Sequence, residues 1–138
     1  MTKLSKKILF SFFVTIMLMV CVLSASAANE GPFVYEINNG EVTIIKCAPT
    51  VTGDLIIPDT LGGMPVVKIG EKAFYYCSEI TSIAMGDNIR SIGKEAFAFC
   101  GALSKVVLSE ELTELAEGAF YMCFNLNEAS LSKTKLKS

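Results

Sequence analysis

The 138-residue chain contains no histidine and no tryptophan. Without histidine it lacks the commonest general base and the commonest zinc ligand, so Ser–His and Cys–His catalytic arrangements are excluded. There is no glycine-rich phosphate loop, no calcium loop and no C-x-x-C pair. Basic residues are also scarce where nucleic acid would require them. The chain is acidic overall and carries no basic cluster, which argues against a nucleic-acid partner. An apolar run long enough to span a bilayer comfortably is missing as well. The one candidate, Ile8 to Leu23, is broken by Ser11 and Thr15 and falls short of about 20 apolar residues.

That run has a different reading. Lys3, Lys6 and Lys7 precede it and Ala25-Ser26-Ala27 follows it. A positive start, an apolar stretch and an A-x-A site are the parts of a secretory signal peptide, expected here over residues 1–27. The rival reading is an uncleaved membrane anchor. A lipoprotein start fits poorly, because Cys21 lies inside the apolar run behind bulky Val20. Cleavage removes three of 12 basic residues and no acid, leaving 9 basic against 14 acidic residues and a net charge of −5. The mature chain is then a single small exported domain without a membrane span.

What the sequence does contain is a repeat. Ala73-Phe74 recurs as Ala96-Phe97 and Ala119-Phe120, each spaced by 23 residues, and Cys77, Cys100 and Cys123 follow at one offset. Other columns keep step: Ile69, Ile92 and Leu115; Ile80, Leu103 and Leu126; Ile83, Val106 and Ala129; Met85, Leu108 and Leu131. A 23-residue period lies in the leucine-rich-repeat range. Each unit holds an L-x-x-L-x-L core whose closing alternation predicts a short strand with one face buried. One unit cannot bury that face alone, whereas stacked units share a continuous core, with each apolar side chain contributing about 1.5–3 kcal/mol. The GEKAFYYC and GKEAFAFC segments are consistent with short helical turns on the far side of each coil.

The pattern I-G-x-x-A-F-x-x-C-x-x-L-x-x-I resembles the BspA-type leucine-rich repeat of bacterial and protist surface proteins, over residues 53–131. Residues 33–69 (FVYEINNGEVTIIKC, GDLIIP, LGGMPVVKIG) resemble the entry segment that precedes such arrays. Departures from the pattern are Gly86 and Ser109 where Pro58 stands in the first unit, Ala116 in the column of Gly70 and Gly93, and small Ala129. The expected fold is mainly β with short helical turns: a right-handed solenoid behind an N-terminal β-hairpin cap. The cap is assigned to residues 28–52, the array of about three and a half repeats to 53–131, and a polar basic tail to 132–138. Asn39-Gly40 is the hairpin signal. Residues 28–32 read as a flexible start. Asp59 to Val66, with Gly62, Gly63 and Pro65, reads as a loop bulging from the first coil. The period breaks in the tail SKTKLKS, which either folds back, pairs with another chain through the last coil, or marks a fragment of a longer array; the last is favoured.

The resemblance implies a secreted or surface recognition module acting in adhesion or protein–protein recognition, and no enzyme. Its ligand would be a protein or a surface glycan. The alternative is a structural spacer or a fragment of a larger surface protein. No catalytic, cofactor or metal residues are assigned. The candidate binding face consists of the outward positions of the L-x-x-L-x-L strands: Asp54 and Ile56, then Ser82, Ala84 and Asp87, then Lys105, Val107 and Glu110, then Glu128, Ser130 and Lys133. A merely solvated sheet face is the competing reading. Four mature cysteines permit three disulfide pairings, but three share one column, which favours a ladder of buried thiols. In-line thiols also fail to converge on a metal. Tyr75, Tyr76, Phe99, Tyr121, Phe124 and the three column phenylalanines could suggest a sugar-stacking platform, but the stronger reading places the column phenylalanines in the core and has Tyr75, Tyr76 and Tyr121 decorate the convex wall. Acid pairs such as Glu110-Glu111 solvate turns and have no glycosidase partners.

Overall fold

The structure is a computed structural model describing residues 27–131. Residues 1–26, where a signal peptide is expected, and the tail 132–138, Lys133 included, lie outside the described residues.

The described residues begin with antiparallel strands. β1 (Ala28–Glu30) pairs with β2 (Phe33–Asn38), which pairs with β3 (Glu41–Cys47). Asn39 and Gly40 take φ of 52° and 77°, both positive, as a two-residue hairpin turn requires. β1 corrects the expectation of a flexible start. Its pairing is backbone-driven, with Ala28 opposite Tyr35, and Glu30 Oε2 accepts the Gly62 N–H at 2.8 Å. Such a strand leaves no apolar alternation in the sequence.

The array then coils through two parallel sheets. One wall consists of β4 (Gly53–Ile56), β7 (Ile80–Ala84), β9 (Lys105–Leu108) and β11 (Glu128–Leu131), hydrogen-bonded in that order. A second wall joins β3 to β6 (Met64–Ile69), β8 (Ser91–Ile92) and β10 (Glu114–Leu115). The hairpin therefore extends this second sheet, and Phe33 lays its ring against Phe74 at 6.3 Å, edge to face, covering the first coil. Between β4 and β6, the expected loop is itself a hairpin. β5 (Thr60–Leu61) pairs with β6 through Gly62 and Gly63, both at positive φ, and Leu61 is buried.

The third wall departs from the helical turns expected of it; no helix forms among the described residues. Alternate N–H groups take different partners. Those of Ala73, Tyr75 and Cys77 close turns onto Gly70, Lys72 and Phe74 within the coil. Those of Lys72, Phe74 and Tyr76 donate to Lys94, Ala96 and Ala98 of the next coil, at 3.1, 2.7 and 3.0 Å. Glu95, Phe97 and Phe99 repeat this onto Glu117, Ala119 and Tyr121. A helix would spend every N–H four residues back. Here half of them cross-link coils instead, and Lys72, Tyr76, Glu95 and Phe99 adopt positive φ to make this possible.

Inside the three walls lie the repeat columns. Phe74, Phe97, Ile69, Ile92, Ile80 and Leu103 are fully buried. Phe74 and Phe97 stack at 4.7 Å, and Phe97 and Phe120 at 5.2 Å. Gly93 permits the close approach of neighbouring coils: a Cβ there would lie 2.7 Å from Glu71 N. Gly86 is explained similarly. A Cβ there would meet Asp59 Oδ1 at 2.6 Å, and that oxygen accepts the Asp87 N–H at 2.7 Å.

Candidate functional site

The alternation of the L-x-x-L-x-L strands decides which side chains leave the core. Leu55, Ile57, Ile83, Met85 and Val106 point inward and are buried. Their neighbours form two rows running across β4, β7, β9 and β11 on the outer surface. In the first row Asp54, Ser82, Lys105 and Glu128 are in register. In the second, Ile56, Ala84, Val107 and Ser130 are in register. Eight of the eleven candidate residues thus occupy one continuous surface.

Two of the remaining three do not extend those rows. Asp87 and Glu110 sit in the turns that follow β7 and β9. The backbone of Asp87 is structural, since its carbonyl accepts the Ser109 hydroxyl at 2.9 Å. That bond also accounts for buried Ser109, whose Oγ accepts the Glu111 N–H in turn. Lys133 lies outside the described residues.

The first row is polar and satisfied within itself. Asp54 Oδ1 accepts hydroxyl bonds from Ser82 at 2.6 Å and Thr81 at 3.1 Å, which hold its carboxyl below the usual carboxylate range. Lys105 Nζ pairs with Glu128 Oε1 at 2.8 Å. The second row is apolar at its start, with Ile56 73% exposed. An exposed Ile beside half-buried Ala84 and Val107 gives a narrow apolar stripe bordered by charge. This is a surface that can exclude water against another surface.

Shallow grooves lie elsewhere among the described residues. One of about 350 Å³ is lined by Glu41, Pro65, Val67, Asn88, Arg90 and Glu111, with Arg90 paired to Glu41. Another, about 340 Å³, follows β2 past Cys47. Sequence reasoning missed the first, although Pro65, Asn88 and Glu111 share one 23-residue column and Val67 and Arg90 another, because those columns mix residue types and Glu41 joins them from the hairpin.

The thiols Cys47, Cys77 and Cys100 are buried and free, and Cys123 is half-buried. Cys100 Sγ lies 3.2 Å from the Phe74 carbonyl and Cys123 Sγ 3.0 Å from that of Phe97. Hydrogen bonding to the adjacent thiol, then burial, pushes Cys47 and Cys100 far above the ordinary thiol range. They are packing groups held protonated. Among the described residues no cluster of three or more His, Cys, Asp or Glu comes together that could hold a metal. No helix among them is long and apolar enough to cross a membrane.

Residues 55–138 match the family model of the BspA type leucine rich repeat region. The chain belongs to the BspA-type leucine-rich-repeat family. Membership implies a protein-binding or structural module. Among solved structures, the T. pallidum leucine-rich repeat protein is similar at 25% identity and TM-score 0.69, over 75% of this chain and 49% of that one. The BspA-type chain thus spans about half the length of that protein. A leucine-rich repeat protein from Bacteroides capillosus matches at 22% identity and TM-score 0.57, over 78% of this chain and 99% of its own. A leucine rich cell surface protein from Faecalibacterium prausnitzii matches at 22% and 0.54, over 79% of this chain and 43% of that one. No functionally curated protein matches the chain.

Proposed function

We propose that the chain is an exported recognition module that binds a protein partner, in adhesion, on the outer face of β4, β7, β9 and β11. The reading grows from the strands upward. Period-two alternation commits one set of side chains to the core and leaves the other set on an open sheet. The observation that carries it is the exposed stripe begun by Ile56 on that sheet, bordered by the row of Asp54, Ser82, Lys105 and Glu128. Apolar centres with polar rims are how protein interfaces are built. Export rests on the charged start, apolar run and Ala25-Ser26-Ala27 of the leader, and the BspA-type resemblance points to the bacterial surface.

The test is solid-phase binding of the purified mature protein to immobilised extracellular-matrix proteins and whole cells. Saturable binding to one of them, lost in Ile56→Asp and Val107→Asp variants that melt like the parent, supports the reading. Binding that both variants retain would move the site off this sheet. A second reading, a structural spacer, is favoured by one observation. The polar row pairs with itself, through Lys105–Glu128 and Asp54–Ser82, and leaves no charge seeking a partner.

A further inference from the structure

The turn wall carries a second surface, unrelated to the sheet face. Tyr75, Tyr76, Phe99 and Tyr121 form one unbroken ring cluster across three coils. Tyr76 and Phe99 stack 4.7 Å apart and within 3° of parallel. Tyr75 and Tyr121 stand edge-on to Phe99, at 71° and 83° with centroids 5.4 and 5.7 Å away. Tyr76 is 57% exposed and Tyr121 56% exposed. The exposure of Tyr75 and Tyr76 is no end effect. Their coil is flanked on both sides, by Cys47 donating to the Ala73 carbonyl and by Phe74 donating to that of Ala96.

The repeat columns do not place an aromatic ring in every coil. Ala98 occupies the column of Tyr75 and Tyr121, and Met122 that of Tyr76 and Phe99. Tyr76 and Phe99 moreover sit at φ of 62° and 63°, where bulky L-residues are strained. Tyr76 is 57% exposed at a strained φ that Met122 also takes, so the backbone does not demand its ring.

We propose that the turn wall is a glycan platform, on which an extended β-linked polysaccharide lies along the solenoid axis and stacks sugar rings on Tyr75 and Tyr121. Tyr76 and Phe99 are parallel and one coil apart, so their ring normals run along that axis. Tyr75 and Tyr121 stand nearly perpendicular to Phe99, so their planes lie along the axis, as a sugar chain following it needs. Two coils separate them, about 9.5 Å at the spacing of paired strands. This is close to the length of one disaccharide in an extended β-1,4-linked chain, so every second sugar meets a tyrosine. Lys72 Nζ lies over one face of the Tyr75 ring, 5.5 Å from its centroid, and pairs with Glu95 at 3.5 Å, which sets a charged donor and acceptor beside the platform. Among the described residues the large exposed aliphatic side chains, Ile45, Ile56, Met64, Leu115 and Leu131, lie on the sheets and not on this wall, which fits stacking and hydroxyl contacts better than a protein's aliphatic anchor.

The chain has no tryptophan, and three of its four tyrosines lie in this cluster, so tyrosine emission reports on it directly. The experiment titrates the protein with β-1,4-linked hexamers of glucose and of N-acetylglucosamine, with the corresponding dimers beside them. A saturable emission change with a hexamer, about tenfold weaker with its dimer, is expected. Tyr75→Ala and Tyr121→Ala should each weaken it about tenfold, the loss of one ring contact, while Ile56→Asp leaves it unchanged. Thermal melts confirm that the variants fold, as Ala98 in the same column leads one to expect. No response to either hexamer from the folded parent would overturn the proposal. So would binding that survives both tyrosine substitutions, or loss of a protein partner rather than a glycan in those variants.

Discussion

The middle and last coils hold the same columns and fare differently. Ile92 is fully buried, while its counterpart Leu115 is 55% exposed. Leu103 and Cys100 are fully buried, whereas Leu126 and Cys123 are only partly so. Leu131 is 60% exposed although Leu108 above it packs on the core. Residue type does not separate the two sets. The difference is that the middle coil has a neighbour on each side, and the last has one among the described residues. In a solenoid, burial belongs to the stack and not to the repeat.

The largest effect should come from the stacked phenylalanines. Phe97, clamped between Phe74 and Phe120, should lose about 3–5 kcal/mol on truncation to alanine. Phe120→Ala, with a ring on one side, should cost clearly less. Urea denaturation of both variants checks this, and equal losses would erase the distinction between the coils. Next in size is Gly93→Ala. Its Cβ would press on the Glu71 backbone, and a loss of about 1–3 kcal/mol is expected. Ala116→Gly, in the same column of the last coil, should change stability by about 1 kcal/mol or less. Thermal melts of the two variants test whether packing is tighter in the middle. The smallest effect is chemical. Under native conditions a thiol reagent should label Cys123 first, and Cys47, Cys77 and Cys100 only as the fold opens. Mass mapping of the labelled peptides gives the order, and early labelling of Cys100 would show that the middle coil is not sealed.

Much of this was legible in the sequence, for a physical reason: the 23-residue columns are the core, and Asn39-Gly40 encodes its turn in two residues. The outward rows followed from strand alternation alone. What stayed hidden depended on partners rather than on local pattern. β1 is held by pairing with β2 and by Glu30 reaching Gly62. β8 and β10 are two residues each, too short for any alternation to register. The turn wall looked helical because its apolar residues are spaced like a helix's, yet its N–H groups alternate between turns and the next coil. Gly118, at φ 65° in the column of Lys72 and Glu95, is the one residue that signalled the left-handed backbone there. The ring cluster was visible as residues but not as a surface, because only the coil stacking brings Tyr75, Phe99 and Tyr121 together.

Amide hydrogen exchange along the coils tests most directly whether the stack confers the burial. The account predicts slow exchange for β7 and β9 and for the cross-coil donors Phe74 and Phe97, and faster exchange for β10 and β11. Uniform protection from β7 to β11 would contradict it, because a coil with one neighbour would then be as secure as a coil with two.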